Sequence, residues 1–293
     1  MDFIYICNTS SGNISKVNLK NFREELKISL YSETDDSAGP HGLFRVKDKM
    51  YAADSYSNSL SIIDLKYDAE RENFKIGGHP NDVIVIKDKA YIICGDTNSV
   101  IIFDLISKKI TGEIKTGLIP HSITYYNDKL LISNMGNDTL TVVNIKKNYK
   151  VNTVKLGPFP TKAIFAMSGR LIIACESNIG SDNEGSISFI DAHLFKVIYR
   201  ISIGRCPVNL YVSDNFCFVS NFGDGTLSIV NLKYKEEIKR IEVGGAPSGL
   251  IVNNKNVYLT DNYNNKLVRI NLFNMEIKKV SIGGEPTAMI LIH

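Results

Sequence analysis

The chain has five histidines, and three of them stand beside prolines. His41 and His121 each follow a proline directly, in Pro-His-Gly-Leu (40–43) and Pro-His-Ser-Ile (120–123), while His79 precedes Pro80. Imidazole titrates near neutrality and is the commonest metal ligand, so such a set could move protons or hold an ion. Glu285, beside Pro286, could add a carboxylate to the same chemistry. Asp82, Lys162 and Arg205 each lie two residues from a proline and bring charge of both signs. Tyr56, Phe222 and Tyr263 bring aromatic faces. Whether these groups meet depends on the elements that carry the prolines.

Those prolines form a repeat. They fall at 40, 80, 120, 158, 160, 207, 247 and 286; leaving Pro158 aside, the gaps are 40, 40, 40, 47, 40 and 39. Glycine stands three residues before all of these register prolines except Pro40. About eleven residues past a proline comes a short motif: YAAD (51–54), YIIC (91–94), LISN (131–134), IIAC (172–175), FVSN (218–221), YLTD (258–261) and, at the start, YICN (5–8). A later alternating run ends in Asp or Asn, as in SLSIID, SVIIFD, TLTVVN and SISFID.

Each unit therefore holds four short runs rich in Ile, Val and Tyr, separated by Lys-Asp-Lys or Asn/Gly/Ser turns. Four strands per forty residues predict a propeller blade, and apolar residues on both strand faces fit blades packed between neighbours. The expected fold is all-β: a single domain, 1–293, forming a seven-bladed β-propeller. Blades start near 40, 80, 120, 160, 207, 247 and 286, and 286–293 joins 1–30 to close the ring. Closure leaves no free sheet end.

With these motifs laid out, the sequence resembles the YVTN-repeat β-propeller family, named for Tyr-Val-Thr-Asn at the end of the second strand and a following run ending in Ile-Asp. YICN, FVSN and YLTD, with SLSIID and SISFID, carry the resemblance over the whole chain. It implies a seven-bladed propeller used as a binding or scaffold module. PHGL and PHSI are also similar to the Pro-His-Gly/Ala-Ile inner strands of streptogramin lyases, in which a histidine works beside bound magnesium. That likeness would make His41, His121 and Glu285 catalytic candidates.

Two loops break the period. Six extra residues fall in YSETDDSAG, with Glu33, Asp35 and Asp36; about seven more are expected in SNIGSDNEG (177–185). Both map to the proline-bearing face, where insertions in repeat proteins gather on a binding surface. The three histidines, Asp82, Lys162, Arg205, Tyr56, Phe222 and Tyr263 are expected at the channel mouth there, as ligand contacts. Asp54, Glu176 and Asp261 are expected nearby, with the recurring Asx positions satisfying loop backbone. Asp64, Asp104, Asn144, Asp191, Asn231 and Asn271 should form turns on the plain face.

The blander reading of the histidines is that polar residues fill the wet ends of inner strands, where other blades use Asn81, Thr161, Ser248 and Thr287. Cys94 and Cys175 share the motif position but sit two blades apart, which argues against a shared zinc. Cys206 follows Arg205, which could lower its pKa. No phosphate loop, nucleophile elbow or His-Glu-x-x-His is present. A net charge of +3 does not call for nucleic acid or a membrane. The opening MDFIYICN reads as a strand rather than a secretory signal, and the five cysteines as reduced thiols.

The expectation is a cytoplasmic, monomeric, non-enzymatic module with no cofactor and no metal, recognising a protein partner or small ligand rather than a membrane or nucleic acid. The alternative is a metal-assisted lyase or hydrolase.

Overall fold

The computed structural model describes residues 2–32, 37–180 and 182–293. They form a seven-bladed β-propeller in which every blade is a sheet of four antiparallel strands. Blades 1 to 6 cover residues 40–75, 80–115, 120–155, 160–202, 207–242 and 247–281. Blade 7 joins the C-terminal strand Pro286–Ile292 to three strands from the N-terminus, Phe3–Asn8, Asn13–Asn18 and Arg23–Ser29. Phe3 pairs with Ile292, Ile4 with Leu291 and Tyr5 with Ile290, so both ends of the chain share one sheet, as the repeat predicts.

The strands fall into two compact units. One holds residues 1–113 and 248–293; the other holds 114–247. In each, the core lies between neighbouring blades. Tyr51, Leu60, Ile62, Val83, Ile92 and Phe103 fill the gap between blades 1 and 2. Ile173, Ile187, Phe189, Val219 and Val230 do so between blades 4 and 5. A middle strand such as Lys49–Asp54 is buried on both faces, which is why its sequence does not alternate.

Turns follow the local chemistry. In all seven blades an Asx residue ends the third strand, and its side-chain oxygen accepts backbone N–H groups of the next turn. Asp64 takes Lys66, Asp104 takes Ser107, Asp191 takes His193 and Leu194, and Asn231 takes Lys233. Asn18, Asn144 and Asn271 do the same. These are Asx turns, the role the sequence assigns them.

Blade 4 departs from the pattern in two places. The turn between its first two strands is widened by a 3-10 turn, Met167–Gly169, where other blades use a tight hairpin. The remaining extra length lies in 177–185, between strands Leu171–Glu176 and Ser186–Asp191. The insertion is thus divided between opposite strand ends rather than confined to one loop. The widened hairpin also moves the motif register by one. Pro160 faces Glu176, as Pro40 faces Asp54 and Pro120 faces Asn134. Cys175 therefore does not share Cys94's position, and Glu176 holds it.

Candidate functional site

The register prolines open the inner strands, and a β-bulge follows each of those at 40, 80, 120, 160 and 207. Pro40 pairs with Asp54 and Gly42 with Ala53, which leaves His41 as the extra residue. A bulged residue has no ladder partner and turns its side chain aside. His41 uses that freedom to reach the next blade: Nδ1 lies 2.8 Å from the Asn81 carbonyl oxygen. His121 repeats the contact in the other unit, with Nδ1 3.0 Å from the Thr161 carbonyl. A carbonyl only accepts, so each Nδ1 carries the proton in this bond.

Hydroxyl residues do the same work elsewhere. Thr161 donates to the Pro207 carbonyl at 3.1 Å, Ser248 to that of Pro286 at 3.0 Å, and Thr287 to that of His41 at 3.2 Å. Thr161 and Ser248 bond the carbonyl of the next blade's register proline, whereas the two imidazoles and Thr287 bond the carbonyl one residue beyond it. His41 and His121 are thus variants of an inter-blade staple that other blades make with Thr or Ser.

Burial lowers the pKa of His41, against the raising effects of the Asn81 carbonyl and nearby Asp82; His79 adds to the lowering. The ring is neutral at pH 7, with its lone pair on Nε2. His41, His79 and Asp82 therefore gather in one unit, whereas His121 and Lys162 belong to the other. Asp82 Oδ1 also accepts the Val83 N–H at 2.9 Å. Gly42 is required here: a Cβ on it would stand 2.5 Å from the Asp82 Cα, so the inner strands of blades 1 and 2 approach too closely for a side chain.

The residues before the prolines share a second feature. His79, Ile119, Phe159, Cys206 and Glu285 all have φ between +47° and +54°. The Asn58 and Asn265 side chains hold this bend, accepting the N–H groups of His79 and Glu285 at 2.8 and 2.9 Å. Burial pushes the Cys206 thiol up, outweighing Arg205, so the activated cysteine that Arg205 implies is not formed. Cys94 is pushed to about 12 by burial, and its sulfur lies 3.4 Å from the Gly77 carbonyl.

Of the aromatic candidates, Tyr56 packs under Gly39, Phe222 is half-buried and Tyr263 is exposed. Among the described residues, no group of three or more His, Cys, Asp or Glu is arranged to hold a metal ion. The acidic loop residues Glu33, Asp35 and Asp36 lie outside the described residues.

The motif position has its own chemistry. Asn134 and Asn221 each donate through Nδ2 to two hydroxyls of the neighbouring strand. Glu176, 1% exposed, replaces that amide. Ser186 and Ser188 donate to it at 2.5 Å, the Gly157 N–H at 2.8 Å, and the Arg200 guanidinium pairs with it at 2.7 Å. Burial raises its pKa, but Arg200 and these donors together hold the carboxyl below its usual range.

Glu176 precedes the 177–185 insertion, whose described residues are bonded near both ends. Ser177 Oγ donates to the Pro207 carbonyl, and the Gly185 N–H to the Gly204 carbonyl at 3.1 Å. Glu184 pairs with Arg240 at 3.1 Å, and Asp182 lies 3.9 Å from Arg205.

Sequence reasoning did not find the groove between the outer strands of blades 7 and 1. It measures about 430 Å³ and is lined by residues 27–31 and 68–70. Glu70 lies in its wall, accepting the Tyr31 N–H at 2.6 Å just before the acidic loop begins. The only signal was the extra length of that loop.

No family model matches the chain, and no curated protein matches it. Solved structures do. A protein of unknown function from Desulfotomaculum acetoxidans superposes with a TM-score of 0.81 at 12% identity, covering 100% of this chain and 99% of that one. Hydrazine synthase of Kuenenia stuttgartiensis gives 0.70 at 16% identity, covering 83% of this chain and 79% of that one. AztD of Citrobacter koseri gives 0.64 at 13%, covering 99% and 97%. At these identities the likeness extends to the fold alone. Among the described residues, no helix is long and apolar enough to cross a membrane.

Proposed function

We propose that the chain is a non-enzymatic binding module of the YVTN-repeat kind, holding a protein partner or small ligand at the loops that carry its extra length. The observation that supports this most is the anchoring of both ends of the insertion 177–185. Its acids Asp182 and Glu184 lie beside Arg205 and Arg240, and the Glu176–Arg200 pair fixes the strand end from which it starts, so the loop is carried on a rigid frame. The inter-blade bonds of His41 and His121 support the same reading, because a histidine that joins blades need not be catalytic.

The test is a variant in which 177–185 is replaced by the Ser-Tyr-Ser-Asn loop of blade 1 (55–58). It should melt within a few degrees of the parent and lose binding of ligands identified with the parent protein. Unchanged binding would overturn the proposal.

The lyase-like alternative rests on the neutral ring of His41 beside Asp82 and His79. It requires a divalent ion. Elemental analysis of untagged protein would reveal stoichiometric metal that disappears in the His41→Thr, His121→Thr double variant. That result would favour the enzyme.

A further inference from the structure

Each blade ends its third strand in an Asx turn, and the second and third side chains after the Asx are exposed. In five blades one of these is large and apolar: Tyr67, Ile106, Leu194, Tyr234 and Phe273. Phe273 is 89% exposed and Ile106 74%. Antiparallel order places these turns, with the turns between first and second strands, at the strand ends opposite the prolines.

Those same turns are basic. In the unit holding blades 1, 2, 6 and 7 they carry exposed Lys47, Lys49, Lys66, Lys87 and Lys255. Asp64 and Asp104 in the same turns are bonded to backbone N–H groups, and the exposed acids Asp48, Asp88 and Glu276 are outnumbered by these lysines. The unit of blades 3 to 5 repeats the composition with Lys147, Lys150, Arg170, Lys196 and Lys233. In both units a lysine rides on the ring beside it, Lys66 over Tyr67 at 5.3 Å and Lys233 over Tyr234 at 5.4 Å. The proline end of blades 1, 2 and 6 is more balanced, exposing Asp96 and Glu285 with Lys75 and Lys115. The net charge of +3 conceals this polarity.

We propose that the turn face of the unit holding blades 1, 2, 6 and 7 docks on an anionic lipid surface. The charge is complementary to acidic headgroups, and lysines close to such a surface each add to binding. The apolar tips are single side chains on separate turns, divided by polar residues. A folded protein partner would need a continuous complementary patch, whereas a fluid interface accepts isolated protrusions one by one. Of its tips, Ile106 is aliphatic and offers nothing for a base to stack on, which disfavours single-stranded nucleic acid. This face is distinct from the insertion, so the two proposals stand or fall separately.

Vesicle sedimentation of the whole chain tests it. The chain should sediment with phosphatidylcholine vesicles containing phosphatidylglycerol, and not with phosphatidylcholine alone. Binding should weaken as salt rises. The Ile106→Ser, Phe273→Ser variant alters only exposed side chains, and should fold normally while losing about tenfold or more in partitioning. Lys66→Ala should lose about fivefold. The 177–185 replacement should bind vesicles like the parent. Absence of phosphatidylglycerol-dependent sedimentation would overturn the proposal, as would full binding by a folded double variant. Retention on polyglutamate or an oligonucleotide without vesicle binding would equally assign the charge to another partner and overturn it.

Discussion

Asp54 stands where blades 3, 5 and 7 carry asparagine, and its surroundings show what the change of one atom does. Burial pushes its carboxyl well above the usual range, and neighbouring Glu70 pushes it further, against the lowering bonds from Ser61 and Ser59. Ser61 Oγ lies 2.5 Å from Asp54 Oδ2 and 2.6 Å from Glu70 Oε1, yet has one proton to give. Both contacts are satisfied when Asp54 is protonated and donates to Ser61, which donates to Glu70. Asp54 Oδ1 has no partner among the described residues.

A raised carboxyl stabilises the fold below about pH 3.8 and loses that contribution as pH rises through its folded value. Asp54→Asn has no proton to lose. It should raise stability by about 1 kcal/mol near pH 8, with little gain near pH 4, in melts followed by circular dichroism. A lower melting temperature at pH 8 would refute the shared-proton account. His41 titrates the other way. Its lowered pKa means that stability falls as pH drops below about 6.5. His41→Thr should change neutral stability by less than about 1 kcal/mol and flatten that acid limb.

Strands and hairpins explain why part of the site was legible in sequence and part was not. The prolines and the Asx turns recur with the strand pattern, so their spacing announces them. The staples do not announce themselves, because His41 meets Asn81 across a gap of 40 residues and two sheets. Thr161, Ser248 and Thr287 at the same register were the available clue. Glu176 was expected near the mouth, but its place at the motif position was hidden by the wider preceding hairpin, which displaced the motif onto Cys175.

At this scale Glu176→Ala should cost about 2 kcal/mol, since two serine hydroxyls and the Gly157 N–H lose their acceptor while half-exposed Arg200 can return to water. The parent's contribution from Glu176 should fade as pH falls below about 4.5 toward its lower folded pKa, and the variant should lack that component. Gly42→Val tests the inner-strand approach. Its side chain would collide with the Asp82 backbone, and about 3 kcal/mol should be lost. A near-neutral result in urea unfolding would mean that the strands can separate.

For the whole molecule, the register of Pro286–Ile292 against Phe3–Asn8 makes the last strand part of the first blade to begin. Removing 286–293 should abolish the cooperative melt, because blade 7 would lose its inner strand and leave apolar Ile4 and Ile6 facing water. A truncated chain that melted like the parent would contradict the shared sheet. Most contacts in the other blades are hairpins, local in sequence and quick to form, whereas Phe3 must find Ile292 across nearly the full chain. Such a pairing carries the largest closure entropy and is expected to form after the rate-limiting barrier. Ile290→Val should accordingly hasten unfolding and leave the refolding rate almost unchanged. The seam in blade 7 would then act as the molecule's kinetic latch, last to shut and first to release.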